Sequence, residues 1–548
     1  MLNLLQLLLA APALAAAATF PVIQSNHGPV KGAASPFRDG VTVYKGIPYA
    51  APPTGSKRWT PPTKPESWTE TLHATEFGPQ CAQPYSEAGI FSSGKNSTSE
   101  DCLTLNVWTP TYDTTDASEI QSKNLPVYVW IFGGRFEGGS GDVLTYDGTG
   151  LASKDIIVVT MNYRLGAFGF LAHPDLSAES GHNSSGNYGI LDQQFALRWV
   201  QDNIAYFGGN ASQVTVGGQS AGSASALDMM WSPLSSGLVH GVIAESGARG
   251  PHDPATGSTD ATSYRTKAAA EAQGVKFLRQ MNVTSIAQLR NASMAALLQF
   301  DSLSDTIWEG TPLANLSDTF MEPPMWRPNI DGYVFPLNYS EALRNNSHAD
   351  IPILTGNNKD ESGASPDLSY TATNYHDLYS NLFGDLADEF FTLYPGTNTS
   401  QASESAKEFY RDLSRVGTWR WAVDWAAGGA NSSVYTYYFT HAPAENRDGG
   451  AYHGSELWYT FNNLPYASYS NVTWNDEDYI VQNKMANYWA NFIRSGNPNG
   501  NGLPRFQPTT NKTERTMWLG DKWGMGPITM DSKRIQFLHK WTARLPAW

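Results

Sequence analysis

Two kinds of apolar pattern alternate along this chain. Residues 126–132 (Pro-Val-Tyr-Val-Trp-Ile-Phe) and 155–161 (Asp-Ile-Ile-Val-Val-Thr-Met) are near-continuous apolar runs, as expected of strands buried on both faces of a mainly parallel sheet. From Leu191 to Phe207 the period changes: Leu191, Phe195, Trp199, Ile204 and Phe207 fall on roughly one helical face before Gly208-Gly209 ends it. A third β-branched run then carries Val214 and Val216 up to a Gly-rich turn, and a helix-forming stretch begins at Ala224. Strand, helix, strand is the crossover unit of α/β folds. Residues 238–244, the run from Ile351 to Gly356, and 434–439 predict further strands, and 534–544 a final helix. Residues 250–345 read as helical or irregular, an insertion that roofs the site, and 371–430 as helical. Between Thr19 and Pro110, short pieces at 41–44 and 104–108 fit small antiparallel strands.

The third apolar run stops at Gly218-Gln219-Ser220-Ala221-Gly222. A serine between two glycines at a strand-to-helix turn is the arrangement of a nucleophile elbow, where the glycines let neighbouring backbone approach. A serine hydroxyl is a weak nucleophile and needs a base within hydrogen-bond reach and a carboxylate to orient that base. In an elbow fold both partners sit in loops after later strands. That places the acid in Asn357-Asn-Lys-Asp-Glu-Ser-Gly, with Asp360 and Glu361 as candidates, and the base among the later histidines, where His441 and His453 closely follow a strand.

The 548 residues carry a net charge of −15, which opposes binding to nucleic acid or to an anionic membrane. No repeat, low-complexity linker or charge block divides the chain, so residues 19–548 read as one large catalytic domain. Residues 1–18 are almost wholly apolar, broken by Pro12, and end in four alanines, which reads as a secretory signal peptide with no stable membrane anchor elsewhere. Acceptor motifs for N-glycosylation at Asn96, Asn183, Asn210, Asn282, Asn291, Asn315, Asn338, Asn345, Asn398, Asn431, Asn471 and Asn511 point the same way, to an extracellular glycoprotein. The chain has two cysteines, Cys81 and Cys102, which can close a loop in an oxidising compartment.

Several stretches together resemble the type-B carboxylesterases, the α/β-hydrolases that include the cholinesterases and secreted fungal lipases: Tyr44-Lys-Gly-Ile-Pro-Tyr-Ala-Ala-Pro-Pro, Ser99-Glu-Asp-Cys-Leu-Thr-Leu-Asn-Val-Trp, Asn162-Tyr-Arg-Leu-Gly and Gly189-Ile-Leu-Asp-Gln-Gln-Phe-Ala-Leu. The resemblance covers nearly the whole mature chain. It implies an α/β-hydrolase fold, a central mostly parallel sheet flanked by helices with large helical insertions, in a secreted fungal-type member. It implies Ser220 as nucleophile, His453 as base and Glu361 as acid, with backbone N–H groups of Gly134, Arg135 and Ala221 as the oxyanion hole. It further implies a Cys81–Cys102 disulfide and an Arg164–Asp192 ion pair. The expected activity is hydrolysis of a small-molecule or lipid ester through an acyl-enzyme, with neither metal nor organic cofactor. The alternatives are an acylglycerol lipase and a non-catalytic adhesion protein.

The chain departs from the family in three places. Arg135 stands where a third consecutive glycine is usual, so either its guanidinium is held by a carboxylate such as Glu137 or it projects into the pocket and favours anionic esters. Gln219 replaces the usual glutamate before the nucleophile. The loop between the cysteines lacks the tryptophan with which cholinesterases hold a quaternary ammonium, offering Tyr85 and Phe91 as its aromatics, which disfavours choline esters.

Overall fold

The computed structural model describes residues 20–84, 89–95, 97–258, 264–300, 303–316, 319–464, 466 and 472–548. The expected signal peptide, Tyr85, Asn96 and Asn471 lie outside them. Among the described residues the largest sheet has eleven strands. In chain order these are β1 (Ala33–Ala34), β2 (Val41–Pro48), β3 (Thr104–Pro110), β4 (Leu125–Ile131), β5 (Ile157–Met161), β6 (Gly209–Gln219), β7 (Gly241–Glu245), β8 (Ile353–Asn358), β9 (Val434–Phe439), β10 (Arg515–Leu519) and β11 (Gly524–Pro527). Their spatial order is β11-β10-β9-β8-β7-β6-β4-β5-β3-β2-β1. The block from β5 through β10 is parallel, and antiparallel strands extend it at both edges. This is an α/β-hydrolase fold.

The apolar runs explain the order. Every residue of β5, β7, β8 and β9 is buried, as strands covered by helices on both faces must be. The sheet is crossed by α1 (Tyr188–Asn203), α2 (Ala221–Trp231), α3 (Thr399–Ala427), α4 (Asp476–Ser495) and α5 (Ser532–Thr542). The crossover helix α1 continues in a 3-10 turn, Ile204–Phe207, which Gly208 closes at φ 84°, the left-handed conformation for which glycine was read as the stop. Its buried side is wider than the apolar stripe, because Asp192, Gln193, Gln194 and Asn203 are buried with it.

Three expectations are corrected. In the N-terminal region the pieces read at 41–44 and 104–108 do pair antiparallel, as β2 with β3, and so do Val22–Gln24 and Pro29–Lys31, but Pro29–Lys31 with Leu72–His73, and Gln80–Cys81 with Thr98–Ser99, are parallel. The insertion at 250–345 contains a small parallel pair, Arg265–Thr266 with Asn329–Ile330, as well as helices such as Lys267–Gln280. The final helix starts at Ser532, capped by Asp531, two residues ahead of its apolar pattern. Among the described residues no helix is long and apolar enough to cross a membrane.

Candidate active site

Strand β6 ends at Gln219 and helix α2 begins at Ala221, so the reversal falls on Ser220 alone. Its backbone is held at φ 58°, ψ −125°, a conformation that costs a residue with a side chain about 1–3 kcal/mol. The turn is over-determined. The Ser220 N–H donates to the carbonyl of Glu245 at 3.0 Å, at the end of β7. A Cβ on Gly218 would run into the carbonyl of Gly222, and one on Gly222 into the carbonyl of Ile131. Both glycines are therefore required by close packing. The four residues around Ser220 are buried and Ser220 is half-buried, so the turn presents the serine alone.

The loops after β8 and β9 are stitched together before either reaches the serine. Lys359 N–H donates to the Phe439 carbonyl at 2.8 Å, Asp360 N–H to the Ala451 carbonyl at 3.0 Å, and Ala451 N–H to Asp360 Oδ2 at 2.9 Å. The second oxygen of Asp360 takes Arg411 at 2.7 Å. Of the two acid candidates, Asp360 is thus consumed as a brace, and Glu361 is turned the other way. Its Oε2 lies 2.7 Å from His453 Nδ1, and its Oε1 accepts the Asn358 N–H at 2.9 Å. Burial alone would raise the pKa of Glu361, but the hydrogen bond and charge of His453, helped by Arg249 and the Asn358 N–H, hold it below the ordinary carboxylate value. For His453 burial pulls downward, and the bond and charge of Glu361 with the charge of Glu456 outweigh it against Arg249, so its pKa is raised. The side-chain nitrogen of Gln219 lies over the ring, 3.0 Å from His453 Nε2 and 3.4 Å from Nδ1. Among the described residues no hydrogen bond joins Ser220 to His453. The other strand-following histidine, His441, bonds Asp478 at 3.0 Å, and although burial opposes it, Asp478 and Asp521 push its pKa up to about 9. It is a buried cation, set apart from Glu361. His441, Glu477 and Asp521 bring one ligand atom each within 4.8 Å, but the two His441 nitrogens already face Asp478 and Asp521.

The loop after β4 lies against the serine turn. A Cβ on Gly133 would collide with the Gln219 carbonyl and stand 3.2 Å from Ser220 Cβ. Gly134, Arg135 and Phe136 follow in left-handed backbone at φ 105°, 58° and 58°, and the Gly134 carbonyl accepts the N–H groups of Glu137 at 3.0 Å and Gly138 at 3.1 Å. Of the two outcomes open for Arg135, the structure has the first: Nε lies 3.6 Å from Glu137 and Nη2 donates to the Glu322 carbonyl at 2.8 Å. The backbone beyond is clamped by Gln83, whose amide donates to the Gly139 carbonyl and accepts its N–H, both at 2.8 Å. Gln83 belongs to the loop closed by the Cys81–Cys102 disulfide, which is present. The same loop sets Phe91 against His453, with ring centroids 6.2 Å apart. Nothing in the sequence marks Gln83 except its place two residues after a cysteine.

Arg164, in the loop after β5, makes a two-pronged ion pair with Asp192 of α1 at 2.8 and 2.7 Å, and its own N–H adds a third bond at 3.1 Å. Both side chains are buried. Behind the site lie two carboxyl groups that sequence reasoning missed, Glu245 and Glu456, both fully buried. Glu245 Oε1 accepts the Trp489 indole N–H at 2.9 Å, and Glu456 Oε2 accepts from the Asn358 amide. The second oxygen of each has no hydrogen-bond partner among the described residues. Burial pushes the pKa of Glu245 up to about 8, against a lowering by Trp489, and burial with the charges of Glu245 and Glu361 raises Glu456 well above its ordinary value. Glu245 is therefore a neutral acid in the folded protein over a range where the unfolded chain ionises. Its stabilising contribution is complete below pH 4.5 and is lost as pH rises through about 8. Glu245→Gln, which cannot ionise, should therefore gain in melting temperature over wild type as pH rises from about 5 to about 8.5. Parallel melting-temperature curves for the two proteins would contradict this.

An elbow serine, a buried acid paired to a histidine on loops after successive parallel strands, and a glycine loop against the serine define the class as an α/β-hydrolase. Comparison with known proteins narrows it. The pattern of the Carboxylesterase family matches residues 19–537. A fumonisin B1 esterase of Sphingopyxis macrogoltabida is 33% identical over 507 residues, covering 90% of this chain and 86% of its own. A para-nitrobenzyl esterase of Bacillus subtilis is 32% identical over 504 residues, covering 90% and 94%. Among solved structures, a carboxylesterase of Geobacillus stearothermophilus superposes with a TM-score of 0.72 at 31% identity, covering 94% of this chain and 99% of that one. The chain belongs to the carboxylesterase family, and it is a carboxylic-ester hydrolase.

Proposed function

We propose that the protein cleaves carboxylic esters through an acyl-enzyme. Ser220 Oγ attacks the ester carbonyl while its proton passes to His453 Nε2. The negative oxygen of the tetrahedral intermediate is met by the N–H groups of Gly134, Arg135 and Ala221, donors whose individual loss typically costs about 2.7–4 kcal/mol of barrier lowering. The alcohol departs with the proton from His453, and water repeats the sequence on the acyl-serine. Glu361 keeps Nδ1 protonated and steadies the imidazolium. The observation that carries this reading is the 2.7 Å Glu361–His453 bond, held by the stitched loops beside the serine turn.

Small-molecule esters are the favoured substrates, with neither nucleic acid nor a membrane anchor involved. Phe91 is packed against His453 and Gly454, which leaves no tryptophan platform and speaks against choline esters. Arg135, engaged by Glu137 and the Glu322 carbonyl, is scaffold and not a selector of anionic esters. We read the protein as secreted and glycosylated, one catalytic domain behind a signal peptide. The disulfide supports this, as does the exposed or half-buried position of every acceptor asparagine among the described residues.

A fluorophosphonate probe should label wild-type protein once, at Ser220, in competition with an ester substrate. No labelling would leave the non-catalytic reading. A panel of esters varied in acyl length, assayed below and above micelle formation, separates the esterase from a lipase, which gains rate when micelles form.

A further inference from the structure

The loop after β4 has little of its own to hold its shape. Gly133, Gly134, Gly138 and Gly139 make up most of it, and Gly134, Arg135, Phe136 and Gly139 all stand in backbone of positive φ. Glycine loses more conformational freedom on ordering than any other residue, so such a loop keeps one shape where other parts of the chain impose it. Its start lies against the serine turn. Its tip is tied by the Gly166 N–H, which donates to the Phe136 carbonyl at 2.7 Å, and by Arg135 on the Glu322 carbonyl. Its return is held by a single carboxamide. Gln83 Nε2 donates to the Gly139 carbonyl and Gln83 Oε1 accepts the Gly139 N–H, both at 2.8 Å. The second amide hydrogen goes to the Cys81 carbonyl at 3.0 Å. Both hydrogens and the oxygen are thus committed, and these partners admit one orientation of the amide.

The clamp reaches the start of the loop through packing. A Cβ on Gly139 would stand 2.9 Å from the Gly133 carbonyl oxygen and press into the Phe132 ring, and one on Gly134 would run into the Gly138 carbonyl. Return and start are in backbone contact, so Gly139 cannot shift without Gly133 and Gly134. On its other side the carboxamide is anchored to the sheet, since Cys81 is bonded to Cys102, two residues before β3. We propose that Gln83 is a positioning residue for the oxyanion hole, and this rests on the function proposed above. It acts through Gly139 on the N–H groups of Gly134 and Arg135. The oxyanion forms only on the way through the transition state, so donors fixed beforehand lower the barrier without tightening the ester's own binding. Without Gln83 the half-buried Gly139 exchanges its two bonds for water, the return loosens, and the donors no longer meet the oxygen where it becomes charged.

The experiment compares wild type with Gln83→Met, which keeps the length of the side chain and removes its hydrogen bonds, using purified protein shown to be folded. On a neutral ester kcat/KM should fall roughly 10- to 100-fold, since a misplacement of about 1 Å costs up to about 10²-fold. A trifluoromethyl ketone, whose adduct with Ser220 carries an oxyanion, should lose affinity by the same factor, as a transition-state analogue does. The matching secondary alcohol forms no adduct and should bind both proteins alike. The acid limb of kcat/KM, which reports the base in the free enzyme, should stay in place. A plain loss of stability gives a different pattern, because it lowers the amount of folded protein and leaves the affinities of that protein unchanged. Wild-type kcat/KM in Gln83→Met would overturn the proposal. So would a slowed variant that binds the ketone as tightly as wild type, an alcohol affinity that falls with the ketone's, or an acid limb that moves and so traces the effect to His453. If Gln83→Met does not fold, Gln83→Glu decides by the two inhibitor affinities, because its carboxylate keeps the acceptor for the Gly139 N–H and loses both donors. Wild type that hydrolyses no ester would instead defeat the function on which the proposal rests, and the two failures are separable because wild-type turnover is measured first.

Discussion

Ser220→Ala should lower kcat by at least about 10⁴-fold, because nucleophile, base and acid act as a unit and losing one strands the others. The variant is informative because it should otherwise be unchanged. Alanine keeps a Cβ, so the φ 58° turn is neither relieved nor worsened, and the Gly218 and Gly222 contacts that enforce it do not involve the hydroxyl. Its melting temperature should stay near that of wild type, and the loss then belongs to chemistry and not to folding. Turnover of a chromogenic ester per mole of purified, folded protein measures it. A Ser220→Ala protein turning over near the wild-type rate would remove Ser220 from the mechanism.

The second large effect is on stability. Asp192→Asn should destabilise the fold by about 3–5 kcal/mol, because a buried guanidinium loses its counter-charge while remaining out of water. The geometry admits little relaxation. Arg164 is fixed by a further bond to the Thr60 carbonyl at 2.9 Å and lies 5.3 Å from the Tyr188 ring centroid. The pair therefore ties three segments, the loop after β5, the helix α1 and the region around Thr60, so that none can shift to solvate the orphaned charge. Urea titration of wild type and Asp192→Asn gives the difference directly. Coincident unfolding curves would show that the pair is neutral to stability.

What could be read from the sequence follows where each element gets its stability. β4, β5, β7, β8 and β9 are buried by helices on both faces, so their apolar runs are visible without any partner in view. β10 and β11 were not foreseen. Arg515–Leu519 gains its order by pairing with β9, and Gly524–Pro527 is a half-buried edge strand with two glycines. The polar start of β6 was missed for a similar reason, since Gly209 to Gln213 carries little apolar pattern of its own. In the site, Ser220 was legible because its glycines leave a spacing. The choice between Asp360 and Glu361 was not legible from the residues alone, because it depends on Arg411 and Ala451, distant in sequence, capturing the first carboxylate. Glu245 and Glu456 drew no notice, since a sequence does not reveal that Trp489 and Asn358 lie where they can bond them.

Helix α2 starts one residue beyond Ser220, and each of its residues from Ala221 to Trp231 is buried. A helix carries roughly half a positive charge at its N-terminus, and in most proteins dissolved ions weaken that field, over about 8 Å at physiological ionic strength. Along α2 there is no surface for counter-ions to approach except at the serine itself. In the proposed reaction the help that this helix gives to a developing oxyanion is screened only from the open side at the serine, so it should vary less with ionic strength than that of a helix lying on the surface.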